Sequence, residues 1–384
     1  MSDTNTPVAK KAYLYFPNLD GVRAIAAFMV VTSHIEYHKK DYGLPHLSFI
    51  NLNNLGKVGV TVFFSLSGFL ITYLLLKEKH TYKKINFKAF YMRRILRIWP
   101  LYFLIVIFGF FVYPAQGSST ALWLTVFFMP HLAFCLDMLP SIFDPIWSIG
   151  TEEQFYIFHP HIFRIKKLQN VLMALVVFTL FWIIFSFIIR HGTYKSVFIT
   201  DFSLFLYYAR FDNMMIGAIV ALLYYNSQNQ IFKFRLQSAF DALFNQYVQV
   251  ILLLLFWMFI YFFLKHEITQ GDIIISTLAA FLIVNLCEAG TSIYSLNNRF
   301  FKYIGKISFG IYLMHKYPLF LMLYLVKTYM PNTDVLWQNA VLYSGTFVLL
   351  IALASISYYG YERYFLRIKS RFQKITQSKA IIPS

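Results

Sequence analysis

Charge is scarce in this chain. Of its 384 residues 13% are Asp, Glu, Lys or Arg, against about 25% in a soluble domain. That scarcity excludes an ordinary water-soluble globule, as does a mean hydropathy of +0.57. Cysteine is scarcer still. Cys135 and Cys287 are the two, both in apolar stretches, which excludes a disulfide framework, a C-x-x-C redox site and a cysteine-rich zinc site. No metal site is expected. The chain also lacks a repeat of fixed period, a low-complexity tract and a G-x-S-x-G serine elbow. The opening residues, MSDTNTPVAKK, do not have the basic-then-apolar layout of a cleaved signal peptide. The first span is therefore expected to stay in the mature protein.

What the chain has instead is apolar surface, with 58% hydrophobic and 20% aromatic residues. The class that follows is an all-α, polytopic membrane helix bundle. Its +17 net charge is read as loop charge on the cytoplasmic side, and no nucleic-acid partner is expected.

Eleven apolar segments are long enough, or nearly so, to cross a bilayer. They fall at 16–37, 58–76, 98–113, 120–136, 147–163, 171–189, 203–225, 248–264, 272–287, 307–329 and 337–359. The basic residues decide how many cross. The stretch 77–98 holds eight Lys and Arg and should be cytoplasmic, together with Lys10 and Lys11. If 120–136 does not cross, 24 of the 34 Lys and Arg become cytoplasmic, 6 external and 4 lie within spans. That segment also carries Pro130 and His131 at its middle. The expectation is about ten transmembrane helices plus one re-entrant or interfacial segment at 120–136, with both termini cytoplasmic. Residues 1–13 would form an N-terminal tail, 14–365 the transmembrane domain and 366–384 a basic C-terminal tail. With no soluble domain expected after the last span, any chemistry is placed within the membrane.

Ionisable residues inside spans are costly and mark candidate sites. In LDGVRAIAAFMVVTSH (19–34), Arg23 and His34 are eleven residues apart. That spacing returns a helix to within about 20° of its start, some 16 Å further along. Two readings are open: a functional face, or Arg23 paired with Asp20 while His34 sits at the water interface. In FYMRRILRIWPLY (90–102), Arg93, Arg94 and Arg97 lie three and four residues apart. They suit either a topology signal or a clamp for phosphates. In PIWSIGTEEQFYIFHP (145–160), Ser148, Glu152, Tyr156 and His159 form one polar stripe. Glu152 is then the inward carboxylate, and Glu153, flanked by isoleucines, faces elsewhere. A buried structural carboxylate paired with an arginine is the other reading. In the ten-span arrangement His34 and Glu152 come to similar depth and form a candidate general-base pair. Arg210 and Asp212 are read as mutually neutralising. His315, placed about 12 Å from the cytoplasmic side by helix rise, is read as a core histidine bonded to Ser or Tyr. The serines of GVTVFFSLSGFLIT (59–72) are read as close-packing residues.

Together these motifs resemble the acyltransferase 3 family of bacterial membrane proteins. The resemblance is carried by the segments at 19–34, 59–72, 90–102 and 147–160, with RFDNMMIGAIVAL (210–222) and GKISFGIYLMHKYP (305–318), in family order over nearly the whole chain. It implies an acyl-CoA donor, most commonly acetyl-CoA, taken from the cytoplasm as a substrate with no tightly bound cofactor. It implies an acceptor hydroxyl on a surface or exported glycan, or a lipid-linked sugar. The family's Arg-x10-His motif maps onto Arg23 and His34, with the histidine catalytic. Its arginine motif maps onto Arg93, Arg94 and Arg97 for the CoA phosphates, and its W-S-L-x-x-E segment onto Trp147, Ser148, Ile149 and Glu152. Gly150 stands where many members carry Ser or Ala. The expected protein is a multi-pass O-acyltransferase of the bacterial cytoplasmic membrane. A transporter of a sugar or lipid-linked glycan would share the buried charges, but the paired broken helices of inverted repeats are not found. A scaffold without chemistry leaves Arg23, His34 and Glu152 unexplained.

Overall fold

A computed structural model describes residues 16–46, 52–112, 118–192, 196–266, 268, 270–288 and 290–372. The N-terminal tail with Lys10 and Lys11 lies outside them, as does the end of the C-terminal tail with Lys374 and Lys379. Every regular element among the described residues is helical. The bundle opens with α1 (Asn18–Lys39), α2 (Leu55–Tyr82) and α3 (Phe87–Val112). Two short helices, α4 (Ser118–Val126) and α5 (Pro130–Cys135), lead to α6 (Ile146–Phe158). Then come α7 (Leu168–His191), α8 (Val197–Ala209), α9 (Phe211–Asn229) and the single-turn α10 (Gln237–Asp241). α11 (Gln246–Lys265) and α12 (Gly271–Cys287) precede α13 (Arg299–Met314), α14 (Lys316–Tyr329), α15 (Val335–Ser357) and α16 (Arg363–Lys369).

Six helical runs are long and apolar enough to cross a membrane, and the α13–α14 pair, bent by 67°, adds a seventh if it is one span. Three of the ten expected spans fall short on length or composition. α1 is interrupted by Asp20, Arg23, Glu36 and Lys39, α6 has 13 residues, and α12 has 17. The segment expected to be re-entrant is broken, with Phe128 between its halves in the left-handed region at φ 58°. Neither half exceeds about 14 Å of helix.

Small residues bring the inner helices together. A methyl group on Gly68 of α2 would lie 1.8 Å from the Met214 carbonyl oxygen of α9, and one on Gly217 would lie 2.0 Å from that of Ser65. Gly59 meets the Ala26 carbonyl of α1 in the same way, and Gly305 of α13 meets that of Asp20. Backbones this close need glycine, since any side chain would hold the helices apart. Gly150 has a similar role: its missing side chain makes room for Pro130 of α5. At the periphery, the α7 window is only 11% buried against 78% for α2, and Val177, Phe181 and Ile184 point outward. That apolar face suits lipid.

Candidate active site

One cavity of about 110 Å³ runs between α1, α2, α3, α6 and α13. At one end it is lined by Arg23, Arg94 and Arg97, along its length by Ser67, Glu152 and Tyr156, and at the other end by Ser148 and Tyr312. Arg94 and Arg97 are three residues apart on α3, so they share a face. Neither has a hydrogen-bond partner among the described residues, and the Nε of Arg94 is buried and unpaired. Arg23 donates to Asp20 at 2.6 Å. Glu152 accepts from the Ser67 hydroxyl at 2.7 Å and from the Tyr156 hydroxyl at 3.2 Å. Ser148 and the Tyr312 hydroxyl are 2.7 Å apart.

Several sequence expectations are corrected here. Arg93 does not join the other two arginines. Helix spacing would allow it, since Arg93 is four residues from Arg97, but it instead pairs with Glu78 of α2 at 2.9 Å and donates to the Phe372 carbonyl at 3.0 Å. Glu153, as expected, lies off the cavity, in the direction helix spacing gives it, and accepts from the Trp99 indole at 2.9 Å. His159 leaves the stripe because α6 ends at Phe158, and it lies 2.7 Å from the Thr72 hydroxyl. Arg210 and Asp212 form no ion pair among the described residues. Arg210 occupies the left-handed link between α8 and α9 at φ 42° and reaches the Thr61 and Tyr207 hydroxyls at 3.0 Å each.

The largest correction concerns His34. It does not meet Glu152. α1 and α2 are antiparallel, with Gly59 against Ala26 and Gly56 against Ser33. Ser67, which holds Glu152, is eight residues below Gly59, and His34 is eight residues above Ala26. Counted from either contact, Ser67 and His34 sit about 18–24 Å apart along the bundle. His34 Nδ1 lies 2.7 Å from Nε2 of His315, and His315 Nδ1–H donates to the Tyr312 carbonyl at 2.7 Å. His315 is thus no isolated core histidine. His315 follows the last residue of α13, about 24 Å along that helix from its start at Arg299. Around this pair, Lys316 donates to Asp144 at 2.7 Å and His38 lies 2.8 Å from Asp41. Glu36 accepts from Lys39 and from the Tyr343 hydroxyl.

Sequence reasoning missed Ser67 as the partner of Glu152, and it missed Tyr312, which joins the cavity to the histidine pair. The Tyr in GKISFGIYLMHKYP, three residues before the histidine, was the available signal. Among the described residues, no group of three or more His, Cys, Asp or Glu side chains is arranged to hold a metal ion, and both cysteines are free.

A bundle of apolar helices around a charged internal cavity defines a multi-pass membrane protein. Within that class, the chain belongs to the acyltransferase family whose model, described as an acyltransferase domain (Acyl_transf_3), matches residues 16–359. Among curated relatives, a protein of Bacillus subtilis provisionally named peptidoglycan O-acetyltransferase YrhL is 26% identical over 91% of this chain and 54% of its own length. The peptidoglycan O-acetyltransferase OatA of Listeria monocytogenes is 22% identical over 96% of this chain and 60% of its own. A provisionally named O-acetyltransferase of Staphylococcus aureus is 26% identical over 82% and 52%. The chain spans about half the length of the curated relatives it matches. No solved structure matches it.

Proposed function

We propose that this protein is a membrane O-acyltransferase that moves an acyl group, acetyl in the first instance, from cytoplasmic acyl-CoA to a hydroxyl of a cell-envelope glycan. The bilayer is the bacterial cytoplasmic membrane, crossed ten times with both termini inside. The observation that carries this reading is the cavity: at one end Arg94 and Arg97, without a hydrogen-bond partner among the described residues, and at the other a hydroxyl pair whose Tyr312 leads to His315 and His34. Guanidinium groups match phosphate oxygens with two hydrogen bonds at once, so Arg94 and Arg97 receive the donor's phosphates. The pantetheine arm then extends along the cavity toward the histidines. The names of the relatives support a peptidoglycan-type acceptor.

A sugar hydroxyl is a weak nucleophile and needs its proton removed as it attacks. His34 accepts that proton while the hydroxyl oxygen bonds to the thioester carbonyl carbon. The C–S bond breaks, and the proton passes to the leaving thiolate as CoA-SH. Glu152 orients groups within the cavity, held by Ser67 and Tyr156. The experiment uses purified protein in lipid with acetyl-labelled acetyl-CoA and peptidoglycan fragments. Label should appear in base-labile ester on the glycan. Hydrolysis alone, or no consumption of acetyl-CoA with any glycan acceptor, refutes the reading.

A further inference from the structure

We infer that His315 is a positioning residue that holds His34 in the tautomer whose Nε2 carries no proton. This rests on the reading of His34 as the general base. The argument begins at a backbone atom. A carbonyl oxygen accepts hydrogen bonds and cannot donate them, so the nitrogen 2.7 Å from the Tyr312 carbonyl, His315 Nδ1, bears a hydrogen. His315 has no exposed surface, and the ring its site accommodates is the neutral one, since a buried cation without a partner is costly. A neutral ring has one N–H, already spent on Tyr312. His315 Nε2 is therefore a lone pair. His34 Nδ1, 2.7 Å away, must be the donor to it, which leaves the lone pair of His34 on Nε2.

The geometry suits such a bond. The ring planes differ by 13° and the centroids are 4.8 Å apart while the nitrogens are at 2.7 Å. The rings therefore meet edge to edge in nearly one plane. His34 Nε2 has no hydrogen-bond partner among the described residues. Unlike the two ring nitrogens of His131, it is not a sealed, unpaired atom. His315 stands at the single residue between α13 and α14, where the chain bends by 67°. The bend aims its ring at α1 and leaves the Tyr312 carbonyl available to it. A histidine's tautomer is commonly set by a backbone carbonyl or a carboxylate on its other nitrogen. Here the nearby carboxylates are taken: Asp144 holds Lys316 and Asp41 lies on His38. A carbonyl-anchored imidazole orients the base without adding a charge beside Lys316.

The test separates this inference from the reading beneath it. Nitrogen NMR of protein with ring-labelled histidine, the His34 signals assigned by their loss in His34→Ala, should show protonated Nδ1 and bare Nε2 at neutral pH. That spectrum requires no turnover. His315→Leu should mix the tautomers and lower kcat about 10–100-fold, as loss of an orienting partner does, with the donor KM little changed. His315→Gln places an amide oxygen near the Nε2 position and should keep kcat within about tenfold of wild type. A proton on Nε2 of His34 in the wild-type protein overturns the inference, as does wild-type turnover in folded His315→Leu. If His315→Leu does not fold, the wild-type spectrum decides alone. Wild-type turnover in His34→Ala would instead overturn the assignment of His34 as base, whatever the spectrum shows.

Discussion

Arg94 and Arg97 reach the cavity with no hydrogen-bond partner among the described residues, whereas the charges at the other end of the bundle are closed by one another. Lys316 is held by Asp144, Lys39 by Glu36 and Asn339, and His38 by Asp41. A buried charge without a partner is costly, so a fold that can pair its cations generally does. The cluster around Lys316 and Lys39 follows that rule. The cavity breaks it with two guanidiniums on one helix face, beside a carboxylate already occupied by Ser67 and Tyr156. Groups left open in this way are free to take an anion, and groups closed by two partners are not. Two histidines at that end have a second nitrogen without a partner among the described residues: that of His38 is sealed in the interior, and that of His34 is not.

The sharpest way to break this contrast is to remove the histidine at that end whose second nitrogen is not sealed in. His34→Ala should lower acyl transfer by about 10²–10⁴-fold, the usual contribution of a placed general base, while acetyl-CoA binding stays near wild type. Transfer is read as ester formed by purified protein, and binding by calorimetry in detergent. The next effect belongs to the cavity. Arg97→Ala should weaken CoA binding by about 1.5–3 kcal/mol, the loss of a charged hydrogen bond, and Arg97→Lys should restore only part of it. Arg93→Ala is the control on the same turn of helix. Its partners are Glu78 and the Phe372 carbonyl, so CoA affinity should hold. Equal losses at 93 and 97 would mean that the arginines act as one cluster after all.

Smaller effects test the packing that sets the two regions in place. Gly68→Ala drives a methyl group into the Met214 carbonyl and should cost about 1–3 kcal/mol as overpacking. At Gly360 no atom of the described residues lies within 4 Å of an added methyl, and Ala there should leave the melting temperature unchanged. Least of all is expected from Ile184→Ala on the outward face of α7, within about 0.5 kcal/mol. A large loss there would mean that this face packs on protein and not on lipid.

Much of the cavity was legible before any coordinates. Helix periodicity selected Glu152 over Glu153 as the inward carboxylate, and the structure has Glu152 in the cavity and Glu153 on Trp99. It also set Arg94 and Arg97 on one face. It failed where an answer depended on a neighbouring helix. Arg93 satisfies the same spacing rule as Arg94, yet Glu78 on α2 captures it. His34 and Glu152 were brought together from counted depths, and the register of α1 on α2 separates them. His315 was read as a lone core histidine because its partner, His34, stands on another helix.

The sequence by itself determined the class of this protein: too little charge and too much apolar length for anything but a helical membrane bundle. It also singled out the candidate side chains, because a buried ionisable group stands out against leucine and phenylalanine. Only the tertiary structure decided who meets whom. A helix states which residues share its face, but the partner of that face depends on how close two backbones come. Here that distance is set by Gly59 on Ala26, Gly68 on Met214 and Gly305 on Asp20. Those contacts fix the register of four helices, and the register puts His34 on His315 and leaves Glu152 to Ser67.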